Sequence, residues 1–317
     1  MMENNTFGEL LQFCRKIQRV SQCDLCSGLC SVSTLSRIEN GEIEAPVLLE
    51  QALLQRLGVD SDRFELLLGE EEYEYFAQRQ IIEDALHRED ILRAEREIAC
   101  YQEMTGQDKL HQQYVKFQQA KLVILKLRKL ETQKEAVNCT EQGQERRFLA
   151  ASAKQLLKES LELTILECPR QRHMLLSKTE IEILMTAVQQ YDLEKIVCVE
   201  EFVKKYELLE LKEKIYPLIQ LEKAKRLLDR GKYAEALEEL REGIAIAKIS
   251  MSYLYCAELH FLYAKALKMQ WKEKPQWKQM QEECMKHCKE AYYLYEFDGD
   301  NRKKEVEEWG YTVLGNF

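Results

Sequence analysis

The chain has 317 residues, about two domains' worth, and 45% of them are hydrophobic, enough to fill a core. Glycine (12) and proline (4) are scarce, which excludes the many tight turns of a sandwich or barrel, and the abundant helix formers predict an all-α protein. The net charge of −9 excludes binding of nucleic acid through overall charge, so any DNA contact must come from a local surface.

The first seventy residues predict a compact bundle of five short helices. Residues that cap or start helices recur along this stretch at short intervals. In chain order, the predicted starts are Thr6 with Glu9, Ser21 with Asp24, Ser31 or Ser33, Pro46, and Ser61, and the fifth helix is expected to end at Gly69. We therefore predict a first domain over residues 1–70.

Residues 21–41, SQCDLCSGLCSVSTLSRIENG, resemble the helix-turn-helix of Cro/repressor-like (Xre) DNA-binding proteins. Leu25, Leu35 and Ile38 occupy its core positions, and segment 39–41 matches its closing E-x-G. The slightly short turn and the run CSVSTLSRIENG resemble the peptide-responsive regulators of low-GC Gram-positive bacteria, of the PlcR and Rgg type. The resemblance implies a five-helix DNA-binding head, a tetratricopeptide-repeat domain, double-stranded operator DNA and a short signalling peptide as partners, and a homodimer.

A recognition helix must present short polar side chains at its first turn to the base edges of the major groove. Ten residues are the candidate DNA contacts: Ser31, Val32, Ser33, Thr34, Ser36 and Arg37 on the recognition helix, Gln22 before it, and the basic cluster Arg15, Lys16 and Arg19. We expect Val32 to meet a thymine methyl group and Arg37 a guanine or a phosphate. The alternative is that these serines are only helix caps and solvated polar residues.

The charge of the head argues for dimerisation. Residues 1–70 hold 6 basic and 11 acidic residues, a net charge of −5. Because non-specific affinity for DNA follows the number of neutralised phosphates, a single head should bind weakly. A dimer that reads two half-sites adds the contacts of both heads, so we expect dimerisation to be needed for function.

Beyond residue 70 the pattern changes to long helices in pairs. The predicted segments are 73–86, 90–104, 108–130, 144–167, 174–190, 193–210, 213–230, 233–249, 252–270, 277–297 and 300–314. They are separated by predicted breaks at 105–106, 138–143, 168–169, 229–231, 275 and 298–300. Pairs that recur at this spacing are typical of a helical solenoid. The segment from Ala224 through Gly231 and Ala236 to Gly243 resembles a tetratricopeptide repeat. We therefore predict an effector-binding and dimerisation domain over residues 71–317.

Three repeats place a lysine directly after the small residue that packs their first helix: Lys121, Lys225 and Lys265. By resemblance to tetratricopeptide repeats, this position faces the concave groove. A basic inner wall would suit an acidic peptide or a peptide's terminal carboxylate. The alternative is that the lysines are solvated or paired with nearby acids such as Glu222 and Glu258.

Two further functions stay open at this point. Asparagine side chains, which clamp the peptide backbone in the resembled family, are scarce beyond residue 70. The repeats would then recognise a protein partner instead of a peptide. The second alternative is a redox-sensing regulator, because the chain has 11 cysteines.

The remaining signals favour neither an enzyme nor a metalloprotein. No P-loop, G-x-S-x-G or H-E-x-x-H pattern occurs, and the five histidines are far apart in sequence: His87, His111, His173, His260 and His287. Cys23, Cys26 and Cys30 fall on the helix-turn-helix, where convergence on zinc would break the motif, and Cys284 and Cys288 fit helix packing. We predict no catalytic residue, no metal and no cofactor.

The odd number of cysteines and the polar first ten residues predict a cytoplasmic protein with free thiols and no membrane partner.

Overall fold

The structure is a computed structural model that describes residues 6–59, 69–132, 140–165, 175–190, 209–249, 253 and 255–315. Across these ranges the chain is all-α, with fourteen helices and no strand, which confirms the predicted fold class. In the same ranges, no helix is both long enough and apolar enough to cross a bilayer.

Four helices form the head, by which we mean residues 6–59. They are α1 (Phe7–Ile17), α2 (Gln22–Cys26), α3 (Val32–Glu39) and α4 (Val47–Arg56). Thr6 and Glu9 close a capping box at the start of α1, as predicted. Ser31, and not Ser33, is the cap of α3. The predicted fifth helix, from Ser61, lies outside the described residues.

Ten longer helices follow the head. They are α5 (Glu70–His87), α6 (Ile91–Thr105), α7 (Lys109–Thr132), α8 (Thr140–Glu162), α9 (Lys178–Gln190), α10 (Leu209–Asp229), α11 (Tyr233–Ile249), α12 (Cys256–Trp271), α13 (Trp277–Phe297) and α14 (Arg302–Leu314). Helix α8 starts earlier than predicted, so Gly143 lies inside it; a single glycine costs a long helix only about 1 kcal/mol. The predicted helix at 193–210 lies almost wholly outside the described residues.

The contacts divide the chain into two compact units, residues 1–202 and residues 203–317. The head therefore shares a unit with α5 to α9, and the functional division near residue 70 stays a prediction. In the second unit each helix packs on the next, and α10 also contacts α12, as stacked helix pairs do. The small residues of the predicted repeat lie at these contacts: Ala224 and Ala236 are fully buried, and a Cβ on Gly243 would stand 3.0 Å from Leu259.

The core of the head does not end at residue 59. Its apolar cluster, which includes Leu11, Leu25 and Leu53, is extended by Leu110 and Leu175 from outside the head. These two side chains, one on α7 and one just before α9, give the head an apolar boundary with the rest of its own unit. The boundary is therefore built like the interior of a domain.

A buried ion pair crosses the same boundary. Arg56, at the end of α4, donates to the carboxylate of Glu180 on α9 at 2.5 and 3.2 Å, and both side chains are almost completely buried. Burial alone would raise the pKa of Glu180, but the charge and hydrogen bonds of Arg56 lower it below its usual range. The carboxylate is therefore charged at neutral pH and depends on Arg56 for its compensation.

We expect Arg56→Met to lower the free energy of unfolding by about 3–5 kcal/mol, because it leaves a buried carboxylate without its counter-charge. The matched control is Arg88→Met, which breaks a pair with Asp84 in which the arginine side chain is 68% exposed. The control should cost under about 1 kcal/mol. Urea unfolding of both variants measures the difference. Equal losses in the two variants would contradict a structural role for the buried pair.

Candidate nucleic-acid interface

The first turn of α3 presents exposed side chains to solvent. The side chain of Ser31 accepts a hydrogen bond from the backbone N–H of Thr34 at 3.0 Å, which starts the helix. Ser31, Val32, Ser33 and Arg37 are exposed, and Thr34 and Ser36 are half-buried. Val32 is 44% exposed, which is unusual for an apolar residue at the start of a short helix. The predicted recognition residues on α3 therefore all have access to a ligand from solvent.

The opposite face of α3 is locked in the core of the head. Leu35 and Ile38 are buried together with Leu25 of α2, as the sequence predicted. A Cβ on Gly8 would stand 2.0 Å from the carbonyl oxygen of Ile38, so α1 crosses α3 at a distance that only glycine allows. The orientation of the exposed face is thus fixed by packing on two other helices.

A buried carboxylate on α3 engages two of the predicted DNA contacts. Arg15 donates to Glu39 at 2.6 and 2.7 Å, and the side-chain amide of Gln22 donates to the same carboxylate at 2.8 Å. Burial would raise the pKa of Glu39, but the hydrogen bonds from Arg15 and Gln22 lower it. The sequence places Glu39 in the closing E-x-G motif, and its role as a partner of Arg15 and Gln22 was not predicted. The available signal was an acid at a core-facing helix position.

The other three basic residues of the predicted interface stay at the surface. Lys16 and Arg19 are exposed at the end of α1, and Lys16 donates to the side chain of Gln12 at 2.8 Å. Arg37 stands 3.6 Å from Glu42, with both side chains more than half exposed. An exposed ion pair of this kind contributes little to stability, so a phosphate can readily replace the carboxylate as the partner of Arg37. Lys16, Arg19 and Arg37 are therefore the cations of the head that are available to DNA.

The turn between α2 and α3 is held from outside the head. Gly28 has a positive φ of 74°, and a Cβ there would stand 1.8 Å from the carbonyl oxygen of Thr164, beyond the end of α8. Lys109, at the start of α7, donates to the carbonyl oxygen of Gly28. The turn therefore packs on the backbone just after α8 and is bound by a side chain of α7.

The cysteines of the helix-turn-helix do not converge on a common point. Cys26 is buried in the core, as predicted, and Cys23 is exposed. Burial raises the pKa of Cys26, and it raises that of Cys30 to about 11. Among the described residues, these cysteines form no metal-binding group. The buried thiols of Cys26 and Cys30 are therefore poor nucleophiles and poor zinc ligands at neutral pH.

Two more cysteines lie in the repeat core. Cys284 donates its S–H to the carbonyl oxygen of Ala264, and Cys288 donates to that of Val306. Both are buried, and burial raises the pKa of each to about 12. Their environment opposes formation of the thiolate that a redox sensor needs.

The predicted effector lysines have partners within their own units. Lys225 pairs with Glu222 at 2.9 Å and with Glu258 at 2.8 Å, the two acids that the sequence suggested as the alternative. Burial would lower the pKa of Lys225, but these two carboxylates raise it. Two carboxylates compete with any acidic ligand for this ammonium group.

The remaining two lysines lie over aromatic rings. The ammonium of Lys121 is 4.2 Å from the ring centre of Phe117, and that of Lys265 is 3.9 Å from that of Phe261. Lys265 also pairs with Glu305 at 2.9 Å. Lys121 belongs to the first unit and the other two lysines to the second. Binding of an effector by the three lysines stays a prediction.

One group of side chains in the described residues has the composition of a metal site. His260 on α12 and His287 and Glu290 on α13 each offer one ligand atom, and these atoms lie within 4.8 Å of one another. Burial lowers the pKa of both imidazoles to about 4. The carboxylate of Glu290 lies 2.6 Å from His260 but is not aligned with a ring N–H, so no hydrogen bond there opposes the effect of burial.

The sequence did not point to this group. His260 and His287 looked unrelated because they are 27 positions apart, and only the packing of α12 on α13 joins them. Only the proximity of His287 and Glu290 could have been predicted from the sequence, since residues three apart on a helix share a face.

No protein-family model and no curated protein matches the chain. PlcR of Bacillus thuringiensis, solved in complex with the peptide PapR7 and DNA, is 15% identical, with 98% of this chain and 99% of that chain covered and a TM-score of 0.39. The apo form of the competence regulator ComR from Streptococcus vestibularis is 14% identical over 97% of each chain, with a TM-score of 0.43. ComR from S. thermophilus, in complex with DNA and its signalling peptide ComS, is 15% identical over 97% of this chain and 99% of that chain, with a TM-score of 0.43. Likenesses of this size carry no argument about function, which has to rest on the residues of this chain.

We expect Lys225→Met to lower the free energy of unfolding by about 1–3 kcal/mol, because it leaves the buried Glu222 without its partner. The control is Lys121→Met, which removes only an ammonium over a ring and should cost under about 1 kcal/mol. Urea unfolding measures both. If Lys225→Met is as stable as the parent, its two carboxylate contacts do not stabilise the fold, and the lysine is free to serve a ligand.

Proposed function

We propose that the chain is a cytoplasmic, sequence-specific DNA-binding transcription regulator and not an enzyme. One observation carries the proposal: the first turn of α3 presents short polar side chains and Val32 to solvent, while the opposite face of the same helix is locked in the core. A helix held in this way meets the requirement for reading base edges in the major groove.

The proposed roles of the side chains in DNA binding follow from their chemistry. Ser33 and Ser36 supply hydroxyl groups for base edges, Val32 an apolar contact for a thymine methyl group, and Arg37 a forked donor for guanine or phosphate. Lys16 and Arg19 supply contacts to phosphates, which position the head without reading sequence. Arg15 and Gln22 would have to leave Glu39 to touch DNA, so their proposed part is to hold α3 in register through that carboxylate.

The proposed effector is a short signalling peptide bound by the repeat helices, as the resemblance of the sequence implies. Two sets of contacts support a connection between these helices and the proposed recognition helix. Thr164 beyond α8 and Glu180 on α9 belong to the region that contacts the α2–α3 turn and Arg56. A ligand that displaces α8 or α9 would therefore act on the support of the recognition helix.

The proposed assembly is a homodimer. The net charge of −5 over residues 1–70 leaves a single copy of the predicted first domain with little attraction for phosphate. Phe13 and Ile17, one turn apart on α1, are exposed apolar residues and offer part of a surface to a second copy. Analytical ultracentrifugation of the full chain measures the assembly directly.

We expect Arg37→Ala to weaken operator binding by about 1–3 kcal/mol, and Ser33→Ala by a similar or smaller amount, because each removes one contact to DNA. The operator is selected from a pool of random duplexes by the parent protein, and affinity is measured by fluorescence anisotropy at fixed salt.

Arg88→Ala is the matched control, since Arg88 is an exposed arginine at the end of α5, away from α3. It should bind like the parent. Unfolding curves should show that Arg37→Ala keeps its stability, because its only ion pair in the described residues is exposed. Selection of no preferred duplex, or undiminished binding by Arg37→Ala, would contradict the placement of α3 in the major groove.

A further inference from the structure

A group of three side chains in the second unit has buried polar atoms that lack a hydrogen-bond partner in the described residues. The ring centres of His260 on α12 and His287 on α13 are 4.8 Å apart, with the rings inclined by 31°. The carboxylate of Glu290, one turn after His287, reaches to 2.6 Å from Nδ1 of His260. Two packed helices therefore bring two imidazoles and a carboxylate to one point.

The polar atoms at this point are buried and make no hydrogen bond to the part of the chain that the structure describes. They are Nδ1 of His260, Nδ1 of His287 and an oxygen of Glu290. His260 is 97% buried, since only 3% of its surface is exposed. Buried polar groups without partners are rare because they lose their hydration and gain nothing in return. A single cation among the three would satisfy all of them at once.

The chemistry of the three ligands selects a class of metal. Neutral imidazole and carboxylate suit zinc and its neighbours in the first transition row, whereas magnesium and calcium prefer oxygen ligands only. Ligand distances near 2.0–2.2 Å place the ligands of a tetrahedral zinc ion about 3.3–3.6 Å from one another. The ligand atoms here lie within 4.8 Å of one another, so modest side-chain rotations bring them to that spacing.

The surroundings orient one ligand and leave access to the site. Tyr263 stacks on the ring of His287 with centroids 4.1 Å apart. The hydroxyl of Tyr263 accepts from Arg241 and donates to Glu283, both at 2.9 Å, so the stacking residue is itself held in place. The side chain of Glu290 is 34% exposed, which gives a metal ion a way in from solvent.

Two lysines lie close enough to the histidines to repel a bound metal ion. The ammonium groups of Lys248 and Lys286 act on both histidines through space. Both lysines are exposed, so water and salt screen their repulsion of a metal ion, while the negative charge of Glu290 lies at the site itself.

We propose that His260, His287 and Glu290 form a binding site for a zinc-class divalent metal ion, with water completing its coordination. The ion clamps α12 to α13 and so stabilises the second unit. The site is separate from the DNA-reading surface, and its existence does not depend on the function proposed for that surface. It makes the repeat region responsive to metal.

The test is a titration of the untagged full chain, stripped of metal by chelator and dialysed, with zinc chloride in a calorimeter. The parent should bind one equivalent, and its thermal midpoint should rise with zinc. Glu290→Gln and His260→Gln should each weaken the binding at least 100-fold and abolish the rise. His87→Gln is the control, because it removes an exposed histidine at the end of α5 and keeps every cysteine.

Circular dichroism confirms that each variant is folded, and Glu290→Gln keeps the shape of a partly exposed side chain. Cobalt(II) supplies a second readout: the parent should show visible d–d absorption without the near-ultraviolet band of a thiolate ligand. Absence of zinc binding by the parent would overturn the proposal. So would equal binding by Glu290→Gln, or a thiolate band, which would assign the metal to cysteines.

Discussion

One guanidinium group, that of Arg56, ties the head to the other helices of its unit. Its five N–H donors are all used. Two go to the carboxylate of Glu180, two to the carbonyl oxygens of Leu25 and Ser27, and one to that of Thr164. One side chain thus joins α4, the end of α2, the segment after α8, and α9. Such a buried charge is stable only while every partner keeps its place, because the penalty for burying a charge is offset only by complete pairing.

This constraint changes what the recognition helix can do. The turn that leads into α3 is fixed by Arg56 on one side and by the contact of Gly28 with Thr164 on the other. The helix therefore cannot reorient alone, and its direction follows the backbone near residues 164 and 180. Packed contacts of this kind pass from one discrete arrangement to another and do not deform continuously. A ligand that selects a different arrangement of α8 and α9 would consequently move the exposed face of α3, the proposed DNA-reading surface, as a body.

Local rules allowed much of the fold to be predicted. Caps such as Ser31 and core positions such as Leu35 act within one or two turns of helix, so a short window of sequence holds the signal. The partner of Arg56 lies 124 positions later, and no local pattern distinguishes that arginine from a solvated one. The histidine pair was hidden for the same reason. Its two members adjoin only when α12 packs on α13, and the register of that packing is a tertiary property.

The two buried ion pairs reduce the number of cations that the head can offer to DNA. Five basic residues lie in residues 6–59: Arg15, Lys16, Arg19, Arg37 and Arg56. Arg15 is neutralised by Glu39 and Arg56 by Glu180, so three cations per head are left for phosphates. Each phosphate contact contributes about 0.9 to the slope of log affinity against log salt, so one head gains little from counterion release.

Two heads on one operator double the number of contacts and tie them to a fixed spacing, which is the physical reason for proposing a homodimer. In the proposed regulator, the DNA sequence would therefore be read mainly by hydrogen bonds and shape at the first turn of α3.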